Sequence, residues 1–530
     1  MNPLIYLKQR ADDDWLIGYA SQDFLALANQ VLYDLERRSS VAHPPTILLA
    51  ERNPLKFLAY FIAACSANCS IILANPDWGN SEWHQVFELV QPDLIWGEVG
   101  MRRGRKGGEE EAGGSREDAD AERRRHGDTE TEIQSSTLTQ NAFSTPHILI
   151  PTGGTSGKIR FAIHTWATLM ASIEGFQQYF GLSQINSFCV LPLYHVSGLM
   201  QFLRSFTSGG KLVILPFKAV EAGERSSVDP KEFFLSLVPT QLQRLLSSSA
   251  QSNHHPGNLS SPLPSSASRW LSRFQTVLLG GAPAWSELLE IARQHQIRLA
   301  PTYGMTETAA QIATLKPDDF LNGKPGCGQV LPHAQVTICS PSGEVLAPNQ
   351  MGIVTIGAKS LCRGYYPNGC DLQAMGWSTT ALFDPPATAQ FAGTGFQPDD
   401  LGFFDAQGYL HIVGRGSNKI ITGGEKVFPA EVEAAIQETG LVRDVYVIGV
   451  SDRQWGEAIS AIYVPIDPAV SPAALQTALA NKLSRFKYPK HWIAVEQLPR
   501  NAQGKLNRQQ VEIMIQVEIK KCGTVPNLHF

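Results

Sequence analysis

The sequence lacks an N-terminal apolar run of the kind that exports a protein or anchors it in a membrane. Its first fifteen residues mix apolar side chains with Lys8, Arg10 and three consecutive aspartates. Signal peptides and membrane spans need an uninterrupted apolar stretch. We therefore predict a cytoplasmic protein with no stable membrane insertion.

Cysteine is scarce and shows no pattern. The eight cysteines among 530 residues include no C-x-x-C pair and have no His-rich partner. Metal sites and disulfide frameworks require clustered ligands or paired spacings. The sequence predicts reduced, mostly buried thiols.

An excess of positive charge is also missing. Lys and Arg number 44 against 49 Asp and Glu, a formal net charge of -5. Proteins that bind nucleic acid usually carry a basic surface. We expect no nucleic-acid partner, and the oligomeric state stays open, with a homo-oligomer among the alternatives.

What the chain does have is an alternation of short apolar runs with helix-like stretches. TILLA is followed by NPLKFLAYFIAACSA and SIILAN, and later come DLIWGE, SFCVLPL and TVLLGG. Strand, crossover helix and strand predict parallel sheets with flanking helices. The fold class is therefore a large N-terminal α/β domain, followed from about residue 418 by a small α+β domain with strands DVYVIGVSD and AISAIYVPID.

The predicted boundaries are an N-terminal domain over 1–414, a hinge over 415–417 and a mobile C-terminal domain over 418–530. Two segments do not fit a compact fold. Residues 100–140 are densely charged with almost no apolar side chain, which predicts a disordered insertion. Residues 247–268 are rich in Ser and Pro, which predicts a mobile surface loop.

A glycine-rich tract follows the apolar run Ile148–Ile150, and it offers many backbone N–H groups to an anion. Counting back from Gly157 and Lys158 places Thr152 and Ile159 where a Walker A loop needs glycine and a hydroxyl. The tract is thus a different phosphate loop or, alternatively, a flexible surface loop.

Four further stretches carry reactive or polar side chains. LPLYHVSGL ends a predicted strand at Leu193 and presents His195, and VLLGGAPA ends another at Gly280. APTYGMTETAA presents Glu307, FQPDDLGFFDAQGYLHIVGR presents Asp400, and LPRNAQGKLNR presents Lys505. Each has a plain alternative as a core histidine, a turn residue or a solvated charge.

Together, in this order, the stretches resemble the adenylate-forming acyl-CoA synthetases, a family that includes firefly luciferase and the adenylation domains of peptide synthetases. TYGMTE and GRGSNKIITGGEKVFPAEVE match the family's adenine and hinge motifs. The phosphate loop departs from the family's T-S-G-T-T-G-x-P-K by lacking the proline, and PDD replaces the common T-G-D. Lys505 stands where the family has its catalytic lysine.

The resemblance implies ATP, Mg²⁺ and CoA as cofactor or cosubstrates, and a small-molecule carboxylic acid as substrate. It implies catalytic roles for Lys505, His195 and Glu307, the last as metal ligand, with Ser417 as hinge pivot and Gly423, Gly424 and Glu425 on the CoA side. The ATP-binding residues that it implies are Thr152, Gly153, Gly154, Thr155, Ser156, Gly157, Lys158, Gly281, Ala282, Pro283, Thr302, Tyr303, Gly304, Thr306, Asp400 and Arg415.

Within the family, the stretches PTGGTSGKIRFAIHTW and YHVSGLMQFLRSF resemble the ligases that activate 2-succinylbenzoate in menaquinone and phylloquinone biosynthesis. A dicarboxylate needs a cation for the carboxylate that does not react, and Arg204 is the candidate, with a surface or structural salt bridge as the alternative. His195, Ser197 and Gly280 complete the predicted acid pocket. Other aryl or medium-chain acid ligases, a carrier-protein-loading adenylation enzyme and a catalytically silent nucleotide-binding protein remain alternatives.

Overall fold

The computed structural model describes most of the chain in segments separated by gaps. The described segments are residues 2–38, 44–100, 131–132, 146–153, 159–247, 266–366, 395–416, 420–422, 425–452, 455–480, 482–500 and 506–521. In this part of the chain no helix has the length and apolar character that crossing a membrane requires.

Fourteen helices lie in the described segments. They are α1 (Pro3–Gln9), α2 (Ser21–Arg38), α3 (Pro54–Ser66), α4 (Asn80–Leu89), α5 (Trp166–Phe180), α6 (Val196–Ser208), α7 (Phe217–Glu221), α8 (Pro239–Ser247), α9 (Ser266–Leu271), α10 (Ser286–Gln294), α11 (Pro317–Leu321), α12 (Pro429–Gln437), α13 (Pro472–Leu479) and α14 (Arg508–Lys521).

The same segments contain twenty-four strands. They are β1 (Leu16–Ile17), β2 (Thr46–Ala50), β3 (Ser70–Leu73), β4 (Leu94–Gly97), β5 (Thr131–Glu132), β6 (Ile148–Gly153), β7 (Ile159–His164), β8 (Asn186–Cys189), β9 (Leu212–Ile214), β10 (Phe233–Leu237), β11 (Thr276–Leu279), β12 (Leu299–Met305), β13 (Ala310–Thr314), β14 (Gln329–Val330), β15 (Ala334–Cys339), β16 (Gly352–Ala358), β17 (Tyr365–Tyr366), β18 (Asp400–Phe404), β19 (Leu410–Arg415), β20 (Ile420–Thr422), β21 (Glu425–Val427), β22 (Val442–Asp452), β23 (Gly456–Pro465) and β24 (His491–Ala494).

The strands form four sheets, and the predicted fold class is confirmed. An eight-stranded sheet has the order β1-β9-β8-β10-β11-β12-β13-β14, and a seven-stranded sheet has the order β17-β7-β6-β3-β2-β4-β5. Neighbours are parallel from β1 to β12 and from β6 to β4, whereas the remaining pairs are antiparallel. β15-β16-β18-β19 is antiparallel, and the C-terminal sheet contains β21-β20-β23-β22 with β24 beside β23.

Helix α5 shows how local sequence prepares the site. Its N-cap Thr165 accepts a hydrogen bond from the backbone N–H of Thr168 at 3.3 Å, and Gly181 ends it in the left-handed conformation at φ 68°. A hydroxyl cap and a C-terminal glycine are the preferred helix ends. The helix therefore starts at Trp166, two residues after His164, which is the last residue of β7. The cap fixes the point at which the chain changes from strand to helix.

Several predicted boundaries differ from the structure. The predicted strand ending at Leu193 stops at Cys189, because Pro192 has no N–H to donate to a sheet. The first residue of the predicted hinge 415–417 belongs to a strand, because Arg415 ends β19 and pairs in register with Asp400.

Both segments predicted to be unstructured contain residues in regular secondary structure. Thr131 and Glu132, inside the predicted insertion 100–140, pair with β4, whose free edge offers backbone hydrogen bonds whatever the side chains. The predicted loop 247–268 begins and ends in helix, since Ser247 closes α8 and Ser266–Leu271 forms α9, whose Trp270 packs on Phe188. The rest of both segments lies outside the described residues.

Two histidines in the described part of the N-terminal domain are buried as neutral side chains. His164 is fully buried and His333 is 8% exposed. Each has a pKa lowered to about 4, by burial at His164 and by burial together with the charge of Arg204 at His333. Because an exposed histidine titrates near 6.5, the unfolded chain takes up these protons before the folded chain does.

The protein should therefore lose stability as the pH falls from 6.5 to 4, by about 3 kcal/mol for each histidine, whereas above pH 6.5 this contribution is complete. His164→Gln removes one titrating group and should flatten this pH dependence. The exposed His84 provides the control His84→Gln. Urea unfolding between pH 7 and pH 4 measures the slope, and an equal slope in His164→Gln and the parent would contradict the assignment.

Candidate active site

The predicted phosphate loop is a hairpin connection between two antiparallel strands. β6 runs to Gly153 and pairs with β7 from Ile159, with Thr152 opposite Arg160. A Walker A loop instead joins a strand to a helix. The hairpin thus agrees with the mismatched spacing, while Gly154, Thr155, Ser156, Gly157 and Lys158 lie outside the described residues.

The end of β12 carries the most closely packed polar group of the site. After Met305 the chain makes a short 3-10 turn over Thr306–Thr308, and Ala309 and Ala310 then adopt left-handed φ angles of 51° and 85°. A Cβ on Gly304 would lie 2.2 Å from the carbonyl oxygen of Ala310, so the turn requires glycine there. The turn directs Glu307 into the cleft.

The Glu307 carboxylate, 8% exposed, receives hydrogen bonds at one oxygen. The Tyr365 hydroxyl donates to Oε1 at 2.5 Å, and the Thr152 hydroxyl lies 3.5 Å from the same atom. Oε2 accepts no hydrogen bond from any residue that the structure describes. One carboxylate oxygen is therefore available to a ligand.

His164 also holds this turn in place, through a hydrogen bond to its backbone. Its Nε2 lies 2.8 Å from the carbonyl oxygen of Thr306, and its Nδ1 lies 3.0 Å from the hydroxyl of Thr168. Because a carbonyl can only accept, the neutral ring carries its proton on Nε2. This hydrogen bond ties the strand that leaves the phosphate loop to the turn that carries Glu307.

A second carboxylate, Asp400, lies at the start of β18. The Tyr303 hydroxyl donates to its Oδ2 at 2.6 Å, and Nε of Arg415 lies 3.5 Å from its Oδ1. Burial raises the pKa of Asp400, while Tyr303 and Arg415 oppose that shift. Tyr303 keeps its proton because burial and the adjacent Asp400 raise its pKa. The pair therefore places a carboxyl group beside an aromatic ring.

The turn after β11 exposes backbone with little side-chain bulk to the cleft. Gly281 has φ 82°, and a Cβ on Gly280 would lie 2.4 Å from the hydroxyl oxygen of Thr302. That hydroxyl donates to the carbonyl oxygen of Leu279 at 3.2 Å. Gly280, Gly281, Ala282 and Pro283 line the same cleft as Tyr303.

Helix α6 forms another wall of the cleft. His195 is its N-cap residue, Ser197 lies in its first turn and Arg204 lies two turns further on, and all three line the cleft. Arg204 is only 3% exposed. Its Nη2 donates a hydrogen bond to Oε1 of Gln311 at 2.7 Å, and its guanidinium carbon lies 4.1 Å from the centre of the Phe176 ring.

Arg204 is charged but has no anionic partner among the described residues. Burial lowers its pKa to about 9, which still leaves the guanidinium protonated at neutral pH. Its Nε and the Nε2 of Gln311 are buried donors that have no acceptor in the described part of the chain. The other buried arginine, Arg10, has Asp13 at 3.1 Å. The structural salt bridge considered for Arg204 is thus not formed within the described segments.

Comparison with known proteins decides the family. A family model described as AMP-binding enzyme matches residues 23–366, and one described as AMP-binding enzyme C-terminal domain matches residues 431–505. The chain belongs to the AMP-binding enzymes.

Curated relatives and solved structures agree with this. Proteins named 2-succinylbenzoate–CoA ligase are 32% identical over 367 residues in Listeria monocytogenes, with 68% of each chain covered, and 31% identical over 378 residues in Geobacillus kaustophilus, with 69% of this chain and 68% of the relative covered.

Two solved structures share the fold at lower identity. The o-succinylbenzoate CoA synthetase of Bacillus subtilis, in complex with the acyl-adenylate OSB-AMP, has a TM-score of 0.71 at 23% identity over 96% of this chain and 97% of that chain. ATP-bound MatB from Rhodopseudomonas palustris has a TM-score of 0.73 at 19% identity over 97% and 99%. Both likenesses show the fold of an AMP-binding enzyme.

The residues at the Glu307 turn fit the magnesium ion that this family implies. Mg²⁺ in nucleotide sites is usually held by one or two carboxylates, water and the phosphates themselves. Glu307 offers one buried carboxylate with Oε2 available, and the Thr152 hydroxyl is adjacent. The described residues contain no group of three or more His, Cys, Asp or Glu that could hold a metal on its own, so the phosphates would complete the site.

The C-terminal domain of this AMP-binding enzyme contributes the opposite wall of the cleft. Leu506 and Asn507 line it, and nearby Arg500 donates to both oxygens of Asp444 at 2.7 Å. Lys505 precedes Leu506 but lies outside the described residues, as do Ser417, Gly423 and Gly424. Glu425 is described only as part of β21.

The structure adds three residues that sequence reasoning missed. Tyr365 donates a hydrogen bond to Glu307, Gln311 accepts one from Arg204, and the charge of Arg204 lowers the pKa of His333. Gln311 had a signal, because it is a polar residue in the otherwise apolar start of β13, AQIA. Tyr365 and His333 had none, since only the fold of the AMP-binding enzyme brings them to their partners.

Asp399 and Asp400 are adjacent, and the geometry predicts which one binds the nucleotide ribose. Asp400→Asn should weaken AMP binding about tenfold, because a neutral amide is a poorer acceptor for two hydroxyls than a carboxylate. Asp399 has φ 65°, a conformation that asparagine tolerates, so Asp399→Asn is the matched control and should bind AMP as before. Calorimetric titration with AMP measures both, and the reverse ranking would reassign the ribose site to Asp399.

Proposed function

We propose that this chain is an AMP-forming acid–CoA ligase that activates 2-succinylbenzoate for menaquinone or phylloquinone biosynthesis. The relatives at 31–32% identity carry that name, and the Bacillus subtilis neighbour was solved with the corresponding acyl-adenylate. The cytosol, which supplies ATP and CoA, is the proposed compartment. The domain division at residues 414–418 is part of the same proposal.

The observation that carries the choice of acid is the buried, unneutralised Arg204. Removing a guanidinium from water is costly unless an anion compensates it. Both Arg204 and Gln311 line the cleft, and each has a buried N–H without an acceptor among the described residues. A second carboxylate on the substrate would supply that acceptor, so a diacid suits this pocket better than a fatty acid does.

The reacting carboxylate would lie nearer the start of α6. His195 and Ser197 line the cleft there, together with Gly280 on the facing turn. Arg204 follows on the same helix, about 10 Å further along at 1.5 Å per residue. This separation lets one end of the acid face the nucleotide while the other end reaches Arg204.

The nucleotide would lie across the ends of β11, β12 and β18. In this proposal Tyr303 packs on adenine against Gly281, Ala282 and Pro283, and Asp400 accepts the ribose hydroxyls with Arg415 beside it. The remaining proposed contacts to ATP come from Thr302, Gly304 and Thr306 and from the phosphate loop, residues 152–158.

The chemistry has two steps. In the first step, a carboxylate oxygen of the acid attacks the α-phosphorus of ATP, and pyrophosphate leaves to give acyl-AMP. In the second step, the thiolate of CoA attacks the acyl carbon, and AMP leaves. Mg²⁺ bound through Glu307 supplies neutralising charge to the phosphates. Backbone N–H groups of the phosphate loop and the Lys505 ammonium would stabilise the charge that develops in the first step.

For the second step the C-terminal domain would turn about Ser417. This movement would withdraw Lys505 and bring Gly423, Gly424 and Glu425 toward CoA. In this proposal the two steps use different residues of the same domain: Lys505 for adenylation, and Gly423, Gly424 and Glu425 for the reaction with the thiol of CoA.

Lys505→Ala should lower the rate of adenylate formation about 100- to 1000-fold, because a preorganised charge stabilises the departing pyrophosphate. Thioester formation from supplied acyl-AMP and CoA should be nearly unchanged. Lys482→Ala in the same domain, where Lys482 pairs with Glu438, is the control. Equal losses in both half-reactions would count against a lysine that acts in the first step alone.

Arg204→Leu should raise the Michaelis constant for 2-succinylbenzoate about 100-fold and leave ATP binding unchanged, since a carboxylate buried without its partner costs several kcal/mol. The preference for the diacid over an analogue lacking the ring carboxylate should disappear. Arg225→Leu is the matched control, because Arg225 also stacks on an aromatic ring, Trp270 at 4.3 Å, but lies away from the cleft.

Pyrophosphate release over a panel of acids, with and without CoA, measures these efficiencies. An unchanged preference in Arg204→Leu would remove Arg204 from the acid pocket. If the parent enzyme ignored 2-succinylbenzoate, the assignment of the acid would be wrong, whereas acyl transfer to a carrier protein in place of CoA would replace the ligase assignment.

A further inference from the structure

The Glu307 carboxylate is unusual in that its two oxygens have different surroundings. Oε1 accepts from the Tyr365 hydroxyl at 2.5 Å and lies 3.5 Å from the Thr152 hydroxyl. Oε2 accepts nothing from the described residues. Hydrogen bonds to Oε1 compete with a cation for the lone pairs of that oxygen, whereas both lone pairs of Oε2 are open, so Oε2 is the better ligand.

Tyr365 is built to act as a donor rather than an acceptor. A carboxylate oxygen accepts, so the Tyr365 hydroxyl, 2.5 Å from Oε1 of Glu307, is the donor in this pair. The guanidinium carbon of Arg160 lies 5.7 Å from the centre of its ring. Strand β17 pairs with β7, with Tyr365 opposite Ala162, which fixes the backbone from which the ring extends.

The backbone of Glu307 is held independently of its side chain. Its carbonyl oxygen accepts from the N–H of Cys362 at 2.8 Å, and the preceding Thr306 carbonyl is bonded by His164. Rotation about the side-chain bonds is therefore the remaining freedom of Glu307. The Tyr365 hydroxyl removes that freedom.

We propose that Tyr365 is a positioning residue that occupies Oε1 of Glu307, so that the carboxylate binds the magnesium ion through Oε2 alone. Mg²⁺ requires compact octahedral geometry with single-oxygen ligands, whereas Ca²⁺ readily accepts both oxygens of one carboxylate. Tyr365 thus favours Mg²⁺ over Ca²⁺ at the nucleotide. The inference rests on the nucleotide site of the proposed function and not on the identity of the acid.

The test uses the full-length protein and a non-hydrolysable ATP analogue, without acid or CoA. Calorimetry gives the affinity for the analogue alone, with saturating Mg²⁺ and with saturating Ca²⁺; the metal enhancement is the ratio of affinity with metal to affinity without it. In Tyr365→Phe, which keeps the ring but removes the hydroxyl, we expect the Mg²⁺ enhancement to fall about tenfold. The Ca²⁺ enhancement should fall less, because the released Oε1 becomes available to the larger ion.

Two controls separate positioning from packing. Tyr366→Phe makes the same change one residue along β17 and should leave both enhancements unaltered. In a Glu307→Gln background Tyr365→Phe should have no further effect on the Mg²⁺ enhancement, because Tyr365 acts through that carboxylate. Thr152→Val removes the longer contact to Oε1 and should cause a smaller fall, which carries the test if the Tyr365 variant does not fold.

Different results would contradict different parts of the proposal. An unchanged Mg²⁺ enhancement in Tyr365→Phe, or an equal loss of analogue affinity with and without metal, would overturn the proposal. Equal losses for Mg²⁺ and Ca²⁺ would overturn the assignment of a single oxygen. If the parent protein showed no metal-enhanced binding of the analogue, the nucleotide site itself would be wrong, and this inference with it.

Discussion

The end of β12 and the turn after it, Tyr303–Glu307, form hydrogen bonds with two other sheets, and the rest of the site depends on this constraint. β12 belongs to the eight-stranded sheet, yet Tyr303 donates a hydrogen bond to Asp400 of the four-stranded sheet. Thr306 is bonded by His164, and Glu307 by Tyr365, both from the seven-stranded sheet. These bonds are made by buried groups, where an unmade hydrogen bond is most costly. The position of either carboxylate therefore follows from the docking of whole sheets and not from a local turn.

The charged side chains of the cleft differ in whether the protein itself supplies partners for them. Asp400 has Arg415 and Tyr303, and Glu307 has Tyr365, so each carboxylate is partly satisfied before any ligand arrives. Arg204 has only the amide of Gln311 and the face of Phe176. Neutral partners orient a guanidinium without cancelling its charge. At the proposed nucleotide end of the cleft the protein thus supplies partners for both carboxylates, whereas the charge of Arg204 is left for an anion from outside the described residues.

The sequence was sufficient for the fold class and for most strands, because apolar runs such as TILLA and TVLLGG have few alternatives to a buried strand. It also placed Glu307, Asp400 and Tyr303 in one site through their motifs, and the structure brings these three together. It misplaced the strand end at Leu193, where a proline stops the sheet inside an apolar run. It could not find Tyr365, because a tyrosine with no motif around it acquires its role only when β17 pairs with β7. Side-chain pairs across sheets depend on register, and single-sequence periodicity carries no information on register between distant strands.

The contacts that define the site also determine when it can form. Thr152 and Glu307 are 155 residues apart, His164 and Thr306 are 142 apart, and Tyr303 and Asp400 are 97 apart. Bringing together residues so distant in the chain costs loop entropy before any contact compensates it, and such contacts form late in folding. During synthesis the phosphate hairpin emerges from the ribosome long before Asp400 does. A nascent chain therefore acquires its nucleotide site only after some four hundred residues have been made, and truncated products of translation are not expected to sequester ATP.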